Sequence, residues 1–208
     1  MRKLLNEELN RLSVEEFKSS AKTPIIIVLD DVRSLLNVGS VFRTADAFSV
    51  EAIYLCGITG TPPNKEINKT ALGSTESVTW KYFKTTLEAV KELKNNNYKI
   101  YSIEQAENSI QLNDFTPEQN TRLALIFGHE VNGVAQQVVN ISDGVIEIPQ
   151  TGTKHSLNVS VSAGIAVWDV FLKLMKQSLI DCLYLPIHMS MHLYHLKLLL
   201  SMLQIDQL

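Results

Sequence analysis

Five consecutive apolar residues at positions 25–29 constrain the fold of this chain more than any other feature. A continuous run of isoleucine, valine and leucine is typical of a strand that is covered on both faces, as in a parallel sheet. The run ends at Asp30 and Asp31, and apolar residues then recur at helical spacing between Val38 and Ala45. A buried strand followed directly by an amphipathic helix favours an α/β fold.

The alternation of strand and helix patterns continues along the chain. Further strands are predicted at 51–56, 78–83, 98–103, 123–127 and 144–149, and helices at 37–48, 86–95 and 156–176. The predicted fold is therefore an α/β domain with a mostly parallel sheet flanked by helices. Such sheets bind ligands at the carboxyl ends of their strands, so we expect a site in the loops after Leu29, Phe127 and Pro149.

Length and composition predict one main folded domain. The chain has 208 residues, of which 45% are hydrophobic and 20% charged, which excludes an intrinsically disordered chain. We divide it into a helical N-terminal extension at 1–20, the α/β domain at 21–176 and a tail rich in leucine and histidine at 177–208. Charged residues and a proline interrupt the tail, so we predict no membrane span there. Its role is unassigned.

The charge balance argues against nucleic-acid binding through bulk electrostatics. There are 19 basic and 22 acidic residues, a net charge of −3, so any such role must rest on a local patch or a shaped site. The two cysteines, Cys56 and Cys182, are too few for a disulfide framework and lie outside metal-ligand spacing. The N-terminal residues lack the apolar core of a signal peptide, and we therefore expect a reducing, cytoplasmic location.

The first candidate site segment, residues 37–48, follows the first predicted strand. Asn37 can cap the helix, and Gly39 leaves backbone N–H groups near its start open to an anion or polar ligand. Arg43 lies in the same helix, and its planar guanidinium suits a phosphate. The alternative is a capped helix whose arginine makes only a surface ion pair.

The second and third segments follow later strands and also contain glycine. In residues 127–134, Glu130 lies between Gly128 and Gly133, where it can bind a ligand or accept backbone hydrogen bonds within a tight turn. In residues 148–160, a small-residue loop leads into a helix that opens near Ser156, with Asn158 in its first turn. An ordinary turn and a well-capped helix are the alternatives.

Taken in order, the three segments resemble the three motifs of the SpoU (TrmH-like) RNA ribose methyltransferases of the SPOUT superfamily. The family pattern runs Asn-x-Gly…Phe-Arg-Thr-Ala, then Gly-x-Glu-x-x-Gly, then Ile-Pro…Gly…Ser-Leu-Asn-Val-Ser-Val, and all three are present. The resemblance covers roughly residues 25–173. Leu35 stands where the family often has proline, and Gln150 where it often has methionine.

The resemblance implies a C-terminal trefoil knot, a homodimer and S-adenosylmethionine as cofactor. It implies no metal. By position in the motifs and in the loop after the strand at 98–103, it assigns the cofactor contacts to Ile103, Gly128, Ile148, Ser156 and Leu157.

The implied reaction is methyl transfer to a ribose 2′-hydroxyl of structured RNA, either tRNA or rRNA. The resemblance places five residues around the reacting hydroxyl: Asn37, Arg43, Glu130, Ser156 and Asn158. Arg43 is often given the role of base, but its pKa above about 12 makes it a poor one. We expect it chiefly to bind the target phosphate and polarise the 2′-hydroxyl.

Several alternatives remain open at this point. The chain could be a catalytically inactive RNA-binding module on the same fold, or it could methylate a base instead of a ribose. Four lysines could form a basic RNA patch or an ordinary solvated face: Lys65, Lys69, Lys81 and Lys84. Three tail histidines at helical spacing could bind a metal or simply pack: His188, His192 and His195.

Overall fold

Seven parallel strands form one sheet in the computed structural model, which describes residues 1–184. They are β1 (Thr23–Asp30), β2 (Val50–Cys56), β3 (Trp80–Phe83), β4 (Tyr98–Ile103), β5 (Ile110–Gln111), β6 (Arg122–Phe127) and β7 (Gly144–Glu147). Their order across the sheet is β3-β2-β1-β6-β4-β7-β5, and every described pairing is parallel. The predicted α/β fold with a parallel sheet is confirmed.

The helices of the described residues lie on both faces of this sheet. They are α1 (Val14–Ser19), α2 (Leu35–Ala47), α3 (Lys65–Ala71), α4 (Ser74–Ser77), α5 (Thr86–Asn95), α6 (Gln136–Val139) and α7 (Val159–Tyr184), preceded by a 3-10 turn at Asn6–Leu9. The bounds of α5 and β4 agree with the sequence prediction, whereas α3, α4, α6 and the two-residue β5 were not predicted.

The central strand β1 explains why the apolar run is continuous. Ile25, Ile27 and Leu29 point into the hydrophobic layer formed with α1, α2, α3 and α7. The alternate residues Ile26 and Val28 point into the opposite layer, formed with α5 and α6. Both faces of the strand are therefore buried, which explains why apolar residues follow one another here without alternating with polar ones.

Two helix starts differ from the prediction. Helix α2 begins at Leu35 and is capped by Ser34, whose hydroxyl accepts a hydrogen bond from the Asn37 N–H at 3.3 Å, so the prediction that Asn37 caps this helix was wrong. Helix α7 begins at Val159, and the Asn158 side chain accepts the Ser160 N–H at 2.9 Å. Both caps lie one or more residues away from the predicted helix start because the local sequence offers several competing side-chain acceptors.

The carboxyl ends of β1, β6 and β4 lie side by side, which brings their following loops together. Leu29 pairs with Phe127 at the end of β1 and β6, and Ser102 pairs with Ile126 between β4 and β6. The loop that follows β7 arrives at the same edge, since Ile103 pairs with Ile146. The edge where the sequence predicted a site is thus formed by four loops.

Helices α1 and α7 lie towards the two ends of the described residues. In α1, Phe17 is buried and joins the same hydrophobic layer as α2 and α7. Helix α7 continues to Tyr184, and the three tail histidines lie outside the described residues. Within residues 1–184, no helix is long and apolar enough to cross a membrane.

Candidate functional site

A cavity of about 660 Å³ opens at the carboxyl edge of the sheet. It lies between the loops that follow β4, β6 and β7. All five residues predicted to contact a cofactor line it: Ile103, Gly128, Ile148, Ser156 and Leu157. Glu130 and Asn158 line it too, so the second and third motifs meet in one place, although the roles of these residues remain predictions.

The loop after β6 is held tightly, and two glycines make this possible. His129 and Gly133 exchange backbone hydrogen bonds of 3.0 and 2.8 Å across the turn. A Cβ on Gly128 would lie 2.1 Å from the backbone of Gly133 and Val134, and Gly133 itself has a φ of +67°. Glu104 completes the turn from the neighbouring loop by accepting the Val134 N–H at 3.0 Å.

Glu130 joins this loop to the start of α2. Its carboxylate accepts the backbone N–H groups of Arg33 at 3.0 Å and Ser34 at 2.9 Å. The anion that the sequence predicted at this helix start is therefore one of the chain's own side chains, as the free N–H groups there would favour. Gly39, which was predicted to open this end to a ligand, instead packs against α3.

The hydrogen bonds determine the ionisation of Glu130. Burial by itself would raise the pKa of its carboxyl group. The N–H groups of Arg33 and Ser34, together with the side-chain amide of Asn37, outweigh burial and hold the pKa below its usual range. Glu130 is therefore a carboxylate at neutral pH and acts as an acceptor.

We expect Glu130→Gln to destabilise the protein at neutral pH, because a glutamine amide cannot accept both backbone N–H groups as a carboxylate does. A lowered folded-state pKa contributes stability above the unfolded-state value, and this contribution is lost as the pH falls through the folded-state value. The difference in melting temperature between wild type and variant should therefore shrink as the pH drops below about 4.5. Thermal melts of both proteins between about pH 3 and 7 measure this difference, because carboxyl groups titrate within that interval.

The control for this measurement is Glu107→Gln, since Glu107 is exposed and lies outside the cavity. Its melting temperature should follow that of the wild type at every pH. A constant difference between wild type and Glu130→Gln across the whole pH range would contradict the assigned role of the carboxylate.

A chain of side-chain hydrogen bonds links all three motifs. The amide nitrogen of Asn37 donates to Glu130 at 3.3 Å, and its amide oxygen accepts from the Asn158 amide nitrogen at 3.2 Å. The Asn158 oxygen in turn accepts the N–H and the hydroxyl of Ser160. Asn37 is thus held by both of its polar atoms and connects the first motif to the rim of the cavity.

Arg43 is not among the residues that line this cavity. It lies further along α2 in a second, shallow cavity of about 520 Å³, together with Ser40, Thr44, Ala47, Phe48, Lys69 and Thr70. Arg43 is exposed, and no other side chain of the described residues pairs with its guanidinium. The structure therefore brings together four of the five predicted catalytic residues and leaves the fifth on another surface of the same chain.

The four lysines of the predicted patch do not share one surface. Lys69 lines the second cavity, and its Nζ lies 2.7 Å from a carboxylate oxygen of Glu66. Lys81 pairs with Glu92 on the opposite face of the sheet. Lys65 and Lys84 are exposed.

Sequence reasoning missed the residues that position the loops. Asp30 is 3% exposed and accepts the Ala135 N–H at 2.9 Å, while its other oxygen accepts the Thr86 hydroxyl. Asp31 faces the other way and accepts the Ile58 N–H at 2.9 Å. An aspartate directly after a buried strand indicates such a role, but its partners lie on other elements and cannot be read from the local pattern.

Comparison with known proteins identifies relatives over most of the chain. Residues 24–168 match the model of the SpoU rRNA Methylase family. A tRNA (guanosine(18)-2'-O)-methyltransferase of Thermus thermophilus is 29% identical over 175 residues, which cover 84% of this chain and 88% of that protein. An uncharacterized tRNA/rRNA methyltransferase of Borreliella burgdorferi is 31% identical over 160 residues, which cover 76% of this chain and 67% of that protein.

Solved structures share the fold. A TrmH/SpoU tRNA modifying enzyme of A. aeolicus superposes with a TM-score of 0.70 at 22% identity, covering 93% of this chain and 95% of that one. An AdoMet-bound rRNA methyltransferase from Sinorhizobium meliloti superposes with a TM-score of 0.69 at 23% identity, covering 74% of this chain and 58% of that one.

A parallel sheet with a cavity between the loops at its carboxyl edge is typical of an α/β protein that binds its ligand there. The family match specifies which class of protein this is. The chain belongs to the SpoU family of RNA methyltransferases, the family that its three motifs resemble. Its enzyme class is therefore that of the S-adenosylmethionine-dependent RNA methyltransferases.

The cavity fits S-adenosylmethionine in size and in chemistry. Its volume lies within the range of about 300–1,000 Å³ that is usual for small-molecule sites. The apolar side chains Ile103, Ile148 and Leu157 suit the flat faces of a nucleoside. Two acidic side chains, Glu104 and Glu130, also line it, and negative charge near the site favours a cationic sulfonium.

Proposed function

We propose that this protein methylates a ribose 2′-hydroxyl of structured RNA, either tRNA or rRNA. The observation that carries this proposal is the hydrogen-bonded chain from Glu130 through Asn37 to Asn158 at the rim of the cavity. Three separate motifs of the sequence meet there, and the polar groups they supply suit a hydroxyl and a phosphate. When bound, S-adenosylmethionine supplies an activated methyl group.

The side chains of this rim orient the substrate. Glu130 holds the start of α2, which positions Asn37, and Asn37 in turn orients the exposed Asn158. Ser156 is exposed beside it and presents a hydroxyl to the incoming ribose. Holding two reactants in register supplies roughly 7–11 kcal/mol of a reaction barrier, which is the main contribution that such a rigid rim can make.

Arg43 completes the proposal as a phosphate-binding residue. A 2′-hydroxyl adjoins the 3′-phosphate of its own nucleotide, so a guanidinium on that phosphate positions the hydroxyl and favours loss of its proton. The guanidinium is exposed and offers a planar pair of donors that match a phosphate. Because Arg43 does not line the cavity of its own chain, its guanidinium reaches the reacting nucleotide either on RNA that spans both cavities or from a second copy of the chain.

We also infer a homodimer, which would supply that second surface from another copy of the chain. An exposed apolar row on α7 supports it, since Val161, Ile165 and Trp168 are 49%, 38% and 47% exposed. Their spacing places them on one face of the helix, and an apolar face of this kind favours burial against a partner. Analytical ultracentrifugation measures the oligomeric state.

The C-terminal trefoil knot implied by the family resemblance remains a prediction. Supporting it, the loop at 148–157 lies against the loops at 103–106 and 127–134 around the cavity. One contact within this group is a hydrogen bond of 3.0 Å from the Gln105 amide to the His155 carbonyl.

The experiment that tests the proposal supplies the full chain with methyl-labelled S-adenosylmethionine and total RNA from a strain that lacks the gene. Label should enter tRNA or rRNA, and nucleoside mass spectrometry should find it on a ribose. If the label is found on a base, the protein is a base methyltransferase and the proposed ribose methylation is wrong. Cofactor binding without transfer to any RNA would contradict the proposed activity and favour an RNA-binding role.

A further inference from the structure

The second cavity has the features of a site for a phosphate of the RNA strand. It lies between α2 and α3 and is lined by Arg43 and Lys69, by three hydroxyl-bearing side chains and by Phe48. None of its lining residues is acidic. Two cations that share a shallow cavity with no carboxylate in its wall create a local positive potential on a chain whose net charge is −3.

The first motif itself brings the two cations together. Gly39 is buried in α2, and a Cβ at this position would lie 2.2 Å from the Ile67 carbonyl oxygen and the Thr70 hydroxyl oxygen. The missing side chain lets α3 approach closely, and the Thr70 hydroxyl then donates to the Leu36 carbonyl at 2.8 Å. This close contact places Lys69 beside Arg43.

Both cations are available to an incoming anion. The Arg43 guanidinium is exposed and has no carboxylate partner among the described residues. Among the described residues Lys69 pairs only with Glu66, three residues earlier in α3, and its side chain is 62% exposed. Exposed ion pairs of this kind are weak, so a phosphate can take the place of the Glu66 carboxylate.

We propose that the cavity between α2 and α3 binds a phosphate of the substrate RNA, with Lys69 as a second phosphate-binding residue beside Arg43. This inference rests on the proposed function, because it takes RNA as the ligand. It separates Lys69 from the other three lysines of the predicted patch. Glu66 is then a competitor for Lys69, and its carboxylate weakens RNA binding.

The test measures binding of a fluorescently labelled tRNA transcript to the full chain by anisotropy at several salt concentrations. A tRNA transcript serves even if the target is rRNA, because contacts to phosphates are independent of sequence. We expect Lys69→Ala to weaken binding by about five- to tenfold and to reduce the salt slope by about one. Glu66→Gln should tighten binding by about two- to fivefold.

Lys81 and Glu92 provide a matched control pair on the other face of the sheet. The Lys81 Nζ also lies 2.7 Å from a glutamate oxygen, and the side chain is 54% exposed. Lys81→Ala and Glu92→Gln therefore make the same charge changes away from the cavity. We expect both to bind the transcript like the wild type, and equal effects from the two pairs would overturn the proposed site.

The two proposals can fail separately. If Lys69→Ala leaves affinity and salt slope unchanged while the wild type methylates RNA, the phosphate site is wrong and the proposed function stands. If Lys69→Ala has the expected effect but no RNA is methylated, the phosphate site stands and the proposed function is wrong. Calorimetry with S-adenosylmethionine should give the same affinity for Lys69→Ala and wild type, since Lys69 lies outside the cofactor cavity.

Discussion

Replacing Arg43 with alanine is expected to abolish methyl transfer while leaving the affinity for S-adenosylmethionine nearly unchanged. The physical reason is that Arg43 lies in the cavity between α2 and α3 and does not line the cavity at the carboxyl edge of the sheet, where we expect the cofactor. Loss of a charged donor that acts on the reacting group costs about 10²–10³-fold in rate. Single-turnover methyl transfer and isothermal titration calorimetry with the cofactor measure the two effects separately.

Two further variants show whether the effect depends on the donor geometry of Arg43 and on its position. Arg43→Lys keeps the charge but loses the planar pair of donors, so it should recover only part of the rate. Arg11→Ala removes another exposed arginine and should behave like the wild type. A large loss of cofactor affinity in Arg43→Ala would show that Arg43 acts at the cofactor and would refute its role as a phosphate-binding residue.

The second large effect is expected from Gly128→Ala. The new Cβ would lie 2.1 Å from backbone atoms of Gly133 and Val134, and backbone cannot rotate away as a flexible side chain can. The loop after β6 must shift, which should lower the free energy of unfolding by about 1–3 kcal/mol. A misplacement of about 1 Å costs about a hundredfold in reaction rate, and we expect cofactor binding to weaken as well.

Gly152→Ala is the matched control, because Gly152 lies in the loop after β7 and a Cβ there would meet no atom within 4 Å. Its cofactor affinity and its stability should equal those of the wild type. Urea unfolding and calorimetry test both variants. Normal cofactor binding by Gly128→Ala would mean that the loop after β6 does not form the cofactor site.

Much of the fold could be predicted from local patterns. The apolar run at β1 and the helical spacing of apolar residues in α2 indicate which faces are buried, and both elements are found in the structure. Short elements such as α3 could not be predicted in this way, because seven residues contain too few turns for a periodic pattern. Yet α3 is the element that places Lys69 beside Arg43.

The candidate site was predictable as a set of residues but not as an arrangement. Glu130 could bind a ligand or hold a turn, and the structure shows that it accepts the N–H groups of Arg33 and Ser34. Asn37 was expected to cap α2, but Ser34 is the cap and Asn37 connects two motifs. These outcomes depend on partners that lie about a hundred residues away in the chain.

The sequence by itself therefore determined the class of fold, the edge of the sheet that holds the site and the motifs of the family. It could do so because strand and helix periodicities are local, and because the carboxyl ends of parallel strands meet at one edge. Only the tertiary structure decided that Glu130, Asn37 and Asn158 form one hydrogen-bonded chain while Arg43 lies apart with Lys69. Hydrogen bonds and shared cavities require that side chains from distant parts of the chain lie within a few ångströms of each other, and that distance is set by how the layers pack.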